Sequence, residues 1–294
     1  MVSSHSNDNK RLGFVGLGSI GLPIALNLIS AGFNLQIYSK SGAQKKNHNL
    51  INAKSFDSPK EAAKNTDFFL ICVSDDLAVD MVLFGSEGAE KNLKKGSTVI
   101  DLSTISPSSA RKFARRLDSK GIKYLDAPVT GGTENAKTGD LTIFLGGSAL
   151  DAKGISSILN VIASDIHTFG EVGKGQEVKC LNQILVAGSY VALAEAITLG
   201  EHLDLPMNKV IDSLKKGAGS SWALNNRSQA MLENKFPLGF RLNLHHKDLS
   251  IVLKTAQECG LELSITSKVK ELEEKLINRG YQDDDISVIK RYLD

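Results

Sequence analysis

The stretch Leu12-Gly13-Phe14-Val15-Gly16-Leu17-Gly18-Ser19-Ile20-Gly21 decides the fold. A short apolar run leads straight into G-x-G-x-x-G, and a helical stretch follows through Ser30. Strand, glycines and helix in that order are the context a dinucleotide-binding loop requires. Gly16 allows the tight turn, Gly18 lets a pyrophosphate approach the backbone, and Gly21 lets helix and strand pack closely. Leu17, Ser19 and Ile20 complete the loop, and the free N–H groups of the helix start face the phosphates.

Working outward, Phe33 to Tyr38 reads as a second strand whose end meets the adenosine ribose. An NAD-selective site usually carries Asp or Glu there. This chain has Ser39-Lys40-Ser41, a cation between two hydroxyls, which suits a 2′-phosphate. NADP(H) is therefore the preferred cofactor, with NAD(H) possible, although three residues also read as a solvated loop.

Strands at Phe68–Val73, Thr98–Leu102 and Ile122–Asp126 alternate with helices at Pro59–Lys64, after Asp76 and at Pro107–Ser119. That alternation predicts a Rossmann-type, doubly wound, mainly parallel α/β sheet. Ligands bind beyond the carboxyl ends of such strands, which puts Val73 and Ser103-Thr104 at the cofactor's rim. Ser106-Pro107 also reads as an N-cap with a first-turn proline, which leaves Thr104 open as plain loop. Leu141–Gly146 reads as a further strand on a mixed edge, and Ile166–Phe169 as the last strand. Thr130-Gly131-Gly132 offers a hydroxyl and side-chain-free amides, a nest for a small carboxylate or simply a turn.

From Gln176 onward the pattern turns helical, so the division is 1–171 for a nucleotide-binding domain and 172–294 for an all-α domain. Residues 1–10 read as a disordered polar tail with no apolar core, and no signal peptide is expected. A long helix from about Gln176 to His202 links the two domains. It is apolar on nearly every side and is expected to be buried all round. Lys179, Asn182 and Gln183 stand three and four apart on one face of it. A buried lysine needs partners or gives up its proton, which makes it an acid/base candidate. On the helix alone, a lysine snorkelling to water at a frayed end stays open. Further helices are read at Met207–Lys216, Ser221–Glu233, Lys247–Cys259 and Ser264–Arg279. Trp222 is expected in the core, and Asp283-Asp284-Asp285 at a solvated helix start.

The bulk numbers set bounds. The chain has 294 residues, net charge +2, 41% hydrophobic and 23% charged residues, enough for two cores and far from disorder. No basic stripe indicates nucleic acid, and the long helix is too interrupted by polar residues for a comfortable membrane span. The three cysteines have no metal spacing, and His245-His246 face apart on a helix, so no metal site is predicted. The expected location is the cytoplasm.

Four motifs, in order and spacing, resemble the β-hydroxyacid dehydrogenase family over nearly the whole chain. They are G-F-V-G-L-G-S-I-G-L-P-I-A-L-N-L at 13–28, D-A-P-V-T-G-G at 126–132, G-K-G-Q-E-V-K-C-L-N-Q at 173–183 and F-R-L-N-L-H-H-K-D-L at 240–249. The resemblance implies that Lys179 is the catalytic lysine and Thr130, Gly131 and Gly132 the substrate loop. It further implies substrate-side amides at Asn182 and Gln183, and nicotinamide contacts at Thr104 and Lys247. Thr130 stands where Ser is common, which keeps the hydroxyl. Asn182-Gln183 departs from the Asn-Asn of the 3-hydroxyisobutyrate branch and looks more like the tartronate semialdehyde (2-hydroxy-3-oxopropionate) reductases. The implied activity is interconversion of a small hydroxy acid and its oxo acid by a homodimer or homotetramer. The alternatives within the family are 3-hydroxyisobutyrate dehydrogenation and glyoxylate or succinic semialdehyde reduction. A non-catalytic NADP-binding protein is the alternative outside it, and an imine reductase on the same fold would be expected to carry a residue other than lysine at 179.

Overall fold

The structure is a computed structural model that describes residues 10–293. The tail read over 1–10 lies, up to residue 9, outside the described residues. From Arg11 the chain is already strand. The chain forms two compact units that divide between Lys179 and Cys180.

The first unit runs β1 (Arg11–Val15), α1 (Gly21–Ser30), β2 (Asn34–Tyr38), α2 (Ala43–Lys46), β3 (Lys54–Ser55), α3 (Pro59–Ala62), β4 (Phe68–Ile71), α4 (Asp76–Phe84), β5 (Thr98–Asp101), α5 (Pro107–Asp118) and β6 (Lys123–Asp126). Their six strands are all parallel, in the order β3-β2-β1-β4-β5-β6. The winding direction reverses between β1 and β4, which is where an open α/β sheet receives its ligand. Both faces are covered, so strand residues alternate between two cores. In β4, Leu70 packs with Leu12, Phe14, Ile24 and Ile37, whereas Phe69 and Ile71 pack with Val79, Leu83, Val99 and Phe113 on the other side.

A second sheet follows in the same unit, where an added strand on a mixed edge was expected. β7 (Val129–Thr130) runs antiparallel to β8 (Leu141–Leu145), and β8 parallel to β9 (Ala163–Thr168), with α6 (Gly132–Thr138) and α7 (Ala149–Ile162) between them. The bridge Asp126–Gly146 joins it to β6. Pro128 has no N–H to continue the parent ladder, and its carbonyl accepts instead from Phe144 N at 3.0 Å. The chain leaves the first sheet at that point.

Helix α8 (Lys174–His202) starts in the first unit and continues into the second. The second unit adds α9 (Met207–Leu214), α10 (Trp222–Leu232), α11 (Leu242–Glu258), α12 (Ser264–Asn278) and a 3-10 helix at Ile286–Tyr292. Tyr190, Leu193, Ala194 and Ile197 of α8 pack there with Leu224, Met231, Leu242, Leu276 and Val288. By length and composition α8 is apolar enough to cross a membrane; its packed side makes it the core helix of this unit. All-round burial fails, because Leu181, Leu185 and Leu199 are 61%, 74% and 62% exposed.

One further expectation fails outright and another in part, because a 3-10 helix does start after Asp285, and Asp283 and Asp284 are exposed. Trp222 is 44% exposed, with the Arg227 guanidinium 4.9 Å over its ring: as the first residue of α10 it points outward. Asp285 is fully buried and accepts from Gly239 N and Phe240 N, both at 2.9 Å, and from Ser287 N at 3.0 Å. Loose backbone amides drew it inward.

Candidate active site

The glycine loop follows β1 at the switch point, and each glycine is consumed differently. A Cβ on Gly16, whose φ is +99°, would lie 2.1 Å from the Cys72 carbonyl oxygen. One on Gly21 would lie 2.0 Å from the Gly16 carbonyl, whereas at Gly18 nothing comes within 4 Å. Gly16 and Gly21 thus serve packing, and Gly18 keeps backbone open to a ligand. Leu17 sits in the core, so its backbone alone faces the loop; Gly18 and Ser19 are exposed and Ile20 half-buried. Side chains cap α3, α4, α5 and α7 through Ser58, Asp75, Ser106 and Ser148. Helix α1 has no side-chain cap and no acidic residue in its first turn. Its orphan amides suit the oxygens of a pyrophosphate, and the loop fits a dinucleotide.

Beyond β2, Ser39 is buried with its hydroxyl 3.0 Å from that of Ser41, and Lys40 is exposed between them. At the ends of β4 and β5, Val73 N donates to Ser103 Oγ at 3.0 Å and Ser103 N to Asp101 Oδ1 at 2.9 Å. Burial, helped by the charge of Asp126, pushes Asp101 up to about 6 against the bonds from Tyr124 and Ser103. The Gln176 amide clamps both neighbours of Thr104: Nε2 donates to Ser103 O at 2.8 Å, and Oε1 accepts from Ile105 N at 3.2 Å. Around Ser103 and Thr104, the supporting groups that sequence reading did not single out are Asp101, Tyr124 and the Gln176 amide.

The motifs D-A-P-V-T-G-G and G-K-G-Q meet at one carboxylate. Asp126 Oδ1 accepts from Gly173 N at 2.7 Å and Oδ2 from Gln176 N at 2.9 Å, closing the start of α8. A Cβ on Gly175 would lie 2.2 Å from Phe144 O and 2.9 Å from Asp126 Oδ2, so that glycine is needed for the close approach. Burial raises the Asp126 pKa, opposed by those backbone bonds. One turn on, Lys179 is 7% exposed and its Nζ donates to Val129 O at 2.8 Å. The snorkelling alternative is therefore excluded. Thr130 follows Val129 directly; Gly131, with φ +123°, and Gly132 complete the loop. Lys179 and the 130–132 loop are thus brought together within the first unit.

The second unit holds the other predicted residues. Asn182 Nδ2 donates to Gln183 Oε1 at 2.7 Å, and Gln183 Nε2 to Asp248 Oδ2 at 2.7 Å. Lys247 Nζ lies 2.7 Å from Asp248 Oδ1. Helix α11 begins at Leu242, so Lys247 stands inside it and not at its start as expected. Behind Asp248, fully buried His245 places Nδ1 2.5 Å from Glu273 Oε1. Burial opposes the His245 charge, but Glu273, with help from Asp248, outweighs it and raises the pKa. Among the described residues no cluster of His, Cys, Asp or Glu suits a metal ion.

Residues 11–172 match the family model for the NAD binding domain of 6-phosphogluconate dehydrogenase. Residues 173–293 match the model for the NAD-binding region of NADP-dependent 3-hydroxyisobutyrate dehydrogenase. The chain is 33% identical to 2-hydroxy-3-oxopropionate reductase of Escherichia coli strain K12, over 97% of both chains. It is 30% identical to mitochondrial 3-hydroxyisobutyrate dehydrogenase of Rattus norvegicus, over 99% of this chain and 90% of that one. Among solved structures, 3-hydroxyisobutyrate dehydrogenase of Mycobacterium tuberculosis matches with a TM-score of 0.86 and 25% identity, covering 97% of this chain and 99% of that one.

Proposed function

The chain belongs to the NAD(P)-dependent β-hydroxyacid dehydrogenase family, and from that premise we propose that it interconverts a small hydroxy acid and its semialdehyde, as a tartronate semialdehyde reductase does. The observation that carries this reading is Lys179, buried at the start of α8 with its amine on the carbonyl of Val129, beside Thr130. Bound at the glycine loop, the nicotinamide dinucleotide supplies or accepts the hydride. Lys179 donates a proton to the carbonyl oxygen in the reductive direction and takes it back in the oxidative one. The Thr130 hydroxyl and the Gly131 and Gly132 amides hold the substrate carboxylate and Asn182 orients it, while buried Gln183, its amide bonded at both ends, orients Asn182. Asp126 serves this chemistry indirectly, by pinning the helix start that aims Lys179. Thr104 and Lys247 contact the nicotinamide end.

NADP(H) is the preferred partner in this reading. Lys40 and the paired hydroxyls of Ser39 and Ser41 supply charge-assisted and neutral donors to a 2′-phosphate. Comparing kcat/KM for NADPH and NADH tests it: the account expects NADPH to win, and Lys40→Asp to erode NADPH use specifically. Equal use of NADH overturns the preference. The protein assembles as a homodimer or homotetramer, a reading supported by Leu181 and Leu185, which stand four apart and exposed on α8. Light scattering that gives a monomer at micromolar concentration contradicts it.

A further inference from the structure

The hydrogen bonds that leave Asn182 run in one direction only. Asp248 is a carboxylate with the Lys247 ammonium 2.7 Å from Oδ1 and Gln183 Nε2 2.7 Å from Oδ2. An ionised carboxylate accepts and cannot donate. Gln183, 1% exposed, must therefore turn its NH2 toward Asp248, as the 2.7 Å bond from Nε2 to Oδ2 records. Its oxygen then faces Asn182, which must answer with an N–H; Nδ2 does so at 2.7 Å.

The polarity set at Asp248 thus passes through two amides. It ends on half-buried Asn182, one turn along α8 from Lys179, with Oδ1 left to accept. No described residue takes up that oxygen. Were the relay reversed, Asn182 would offer its NH2 group outward instead.

We propose that Asp248 is a specificity-determining positioning residue, which acts through Gln183 to make Asn182 present an acceptor to a hydroxyl on the substrate carbon next to the carboxylate. The inference rests on the proposed reductase function and supplies a structural reason for its substrate, a 2-hydroxy-3-oxo acid and, in the reverse direction, its 2,3-dihydroxy acid. A methyl or hydrogen at that carbon leaves Asn182 Oδ1 facing an apolar group. A site built to bond a hydroxyl rejects the analogue lacking it far more strongly than an apolar pocket rejects one methylene.

The test compares kcat/KM in the oxidative direction, with NADP+, for 2,3-dihydroxypropionate and 2-methyl-3-hydroxypropionate. The expected result is a preference for the dihydroxy acid of roughly a hundredfold or more. Asn182→Leu, at a half-buried position that tolerates an apolar side chain, should collapse that ratio to within about tenfold. Asp248→Asn frees Gln183 to turn over and should lower the same ratio, beyond any common fall in rate from disturbing Lys247. A fall in rate equal for both acids would mark Asp248 as merely structural and overturn the proposal. So would a wild-type enzyme that turns over both acids equally, or that prefers the methyl acid. Turnover of neither acid, nor of any small oxo acid with either nicotinamide cofactor, removes the reductase reading itself and this inference with it.

Discussion

Two helices of this protein start after glycine-rich turns, and the two starts have opposite fates. At α1, Gly18 has open space around it and no side chain caps the amides. At α8, the buried carboxylate of Asp126 takes the amides of Gly173 and Gln176. The same backbone device leaves donors for a mobile anion in one place and spends them on a fixed one in the other. What distinguishes the two is whether the fold brings its own negative charge. The first start binds; the second aims, because Lys179 hangs from the anchored turn.

Breaking the glycines sharpens that difference most. Gly16→Ala drives a Cβ to 2.1 Å from Cys72 O at φ +99°, and should destabilise the first unit by more than about 3 kcal/mol. Gly18→Ala meets no atom within 4 Å. It should melt within about a degree or two of wild type while losing most dinucleotide affinity. Thermal melts with and without NADPH check both; a Gly18→Ala protein still strongly stabilised by NADPH contradicts the role of the first start.

Asp126→Asn attacks the second start. Asn brings one acceptor to two buried N–H donors, so about 2 kcal/mol of stability should go. Turnover should fall as Lys179 loses its aim, with the KM for the dinucleotide little changed. Equal damage to kcat and to cofactor KM would mean that the two starts are not separable.

A smaller effect belongs to the helical unit, which has no such start to lean on. His245, with Nδ1 2.5 Å from Glu273 Oε1 and in the field of Asp248, holds its proton more tightly folded than unfolded. The stabilisation is full below the ordinary histidine value of 6.5 and is lost as pH rises through the higher folded value. Wild type should therefore lose melting temperature above that value more steeply than Glu273→Gln, which is less stable below it because it removes one partner of a buried pair. Parallel pH profiles for the two proteins would contradict the coupling.

The difference between the regions also explains what could be read beforehand. G-x-G-x-x-G and the strand–helix alternation lie local in sequence, so the nucleotide-binding fold and its loop were legible. Lys179 was not settled by its helix, on which snorkelling stayed open; the resemblance of the motif at 173–183 singled it out. Asp126 was quoted inside a motif, but its partners Gly173 and Gln176 lie 47 and 50 residues on, and no periodicity signals such a bond. Asp285 was misread for the same reason: an acidic triplet suggests solvent until Gly239 and Phe240 are found against it. The Gln183–Asp248 bond spans 65 residues and surfaced only with the fold. Trp222 was judged by residue type, which says nothing about which way the first residue of a helix points.

In the proposed mechanism the anchored start of α8 holds a proton-transferring lysine. Lys179→Met keeps the apolar stem and removes the amine, so its effect on turnover with NADPH and a 2-hydroxy-3-oxo acid tests that claim most directly. The account predicts a rate lower by about a hundredfold to ten-thousandfold, with NADPH binding retained. A variant that keeps most of its rate would contradict it.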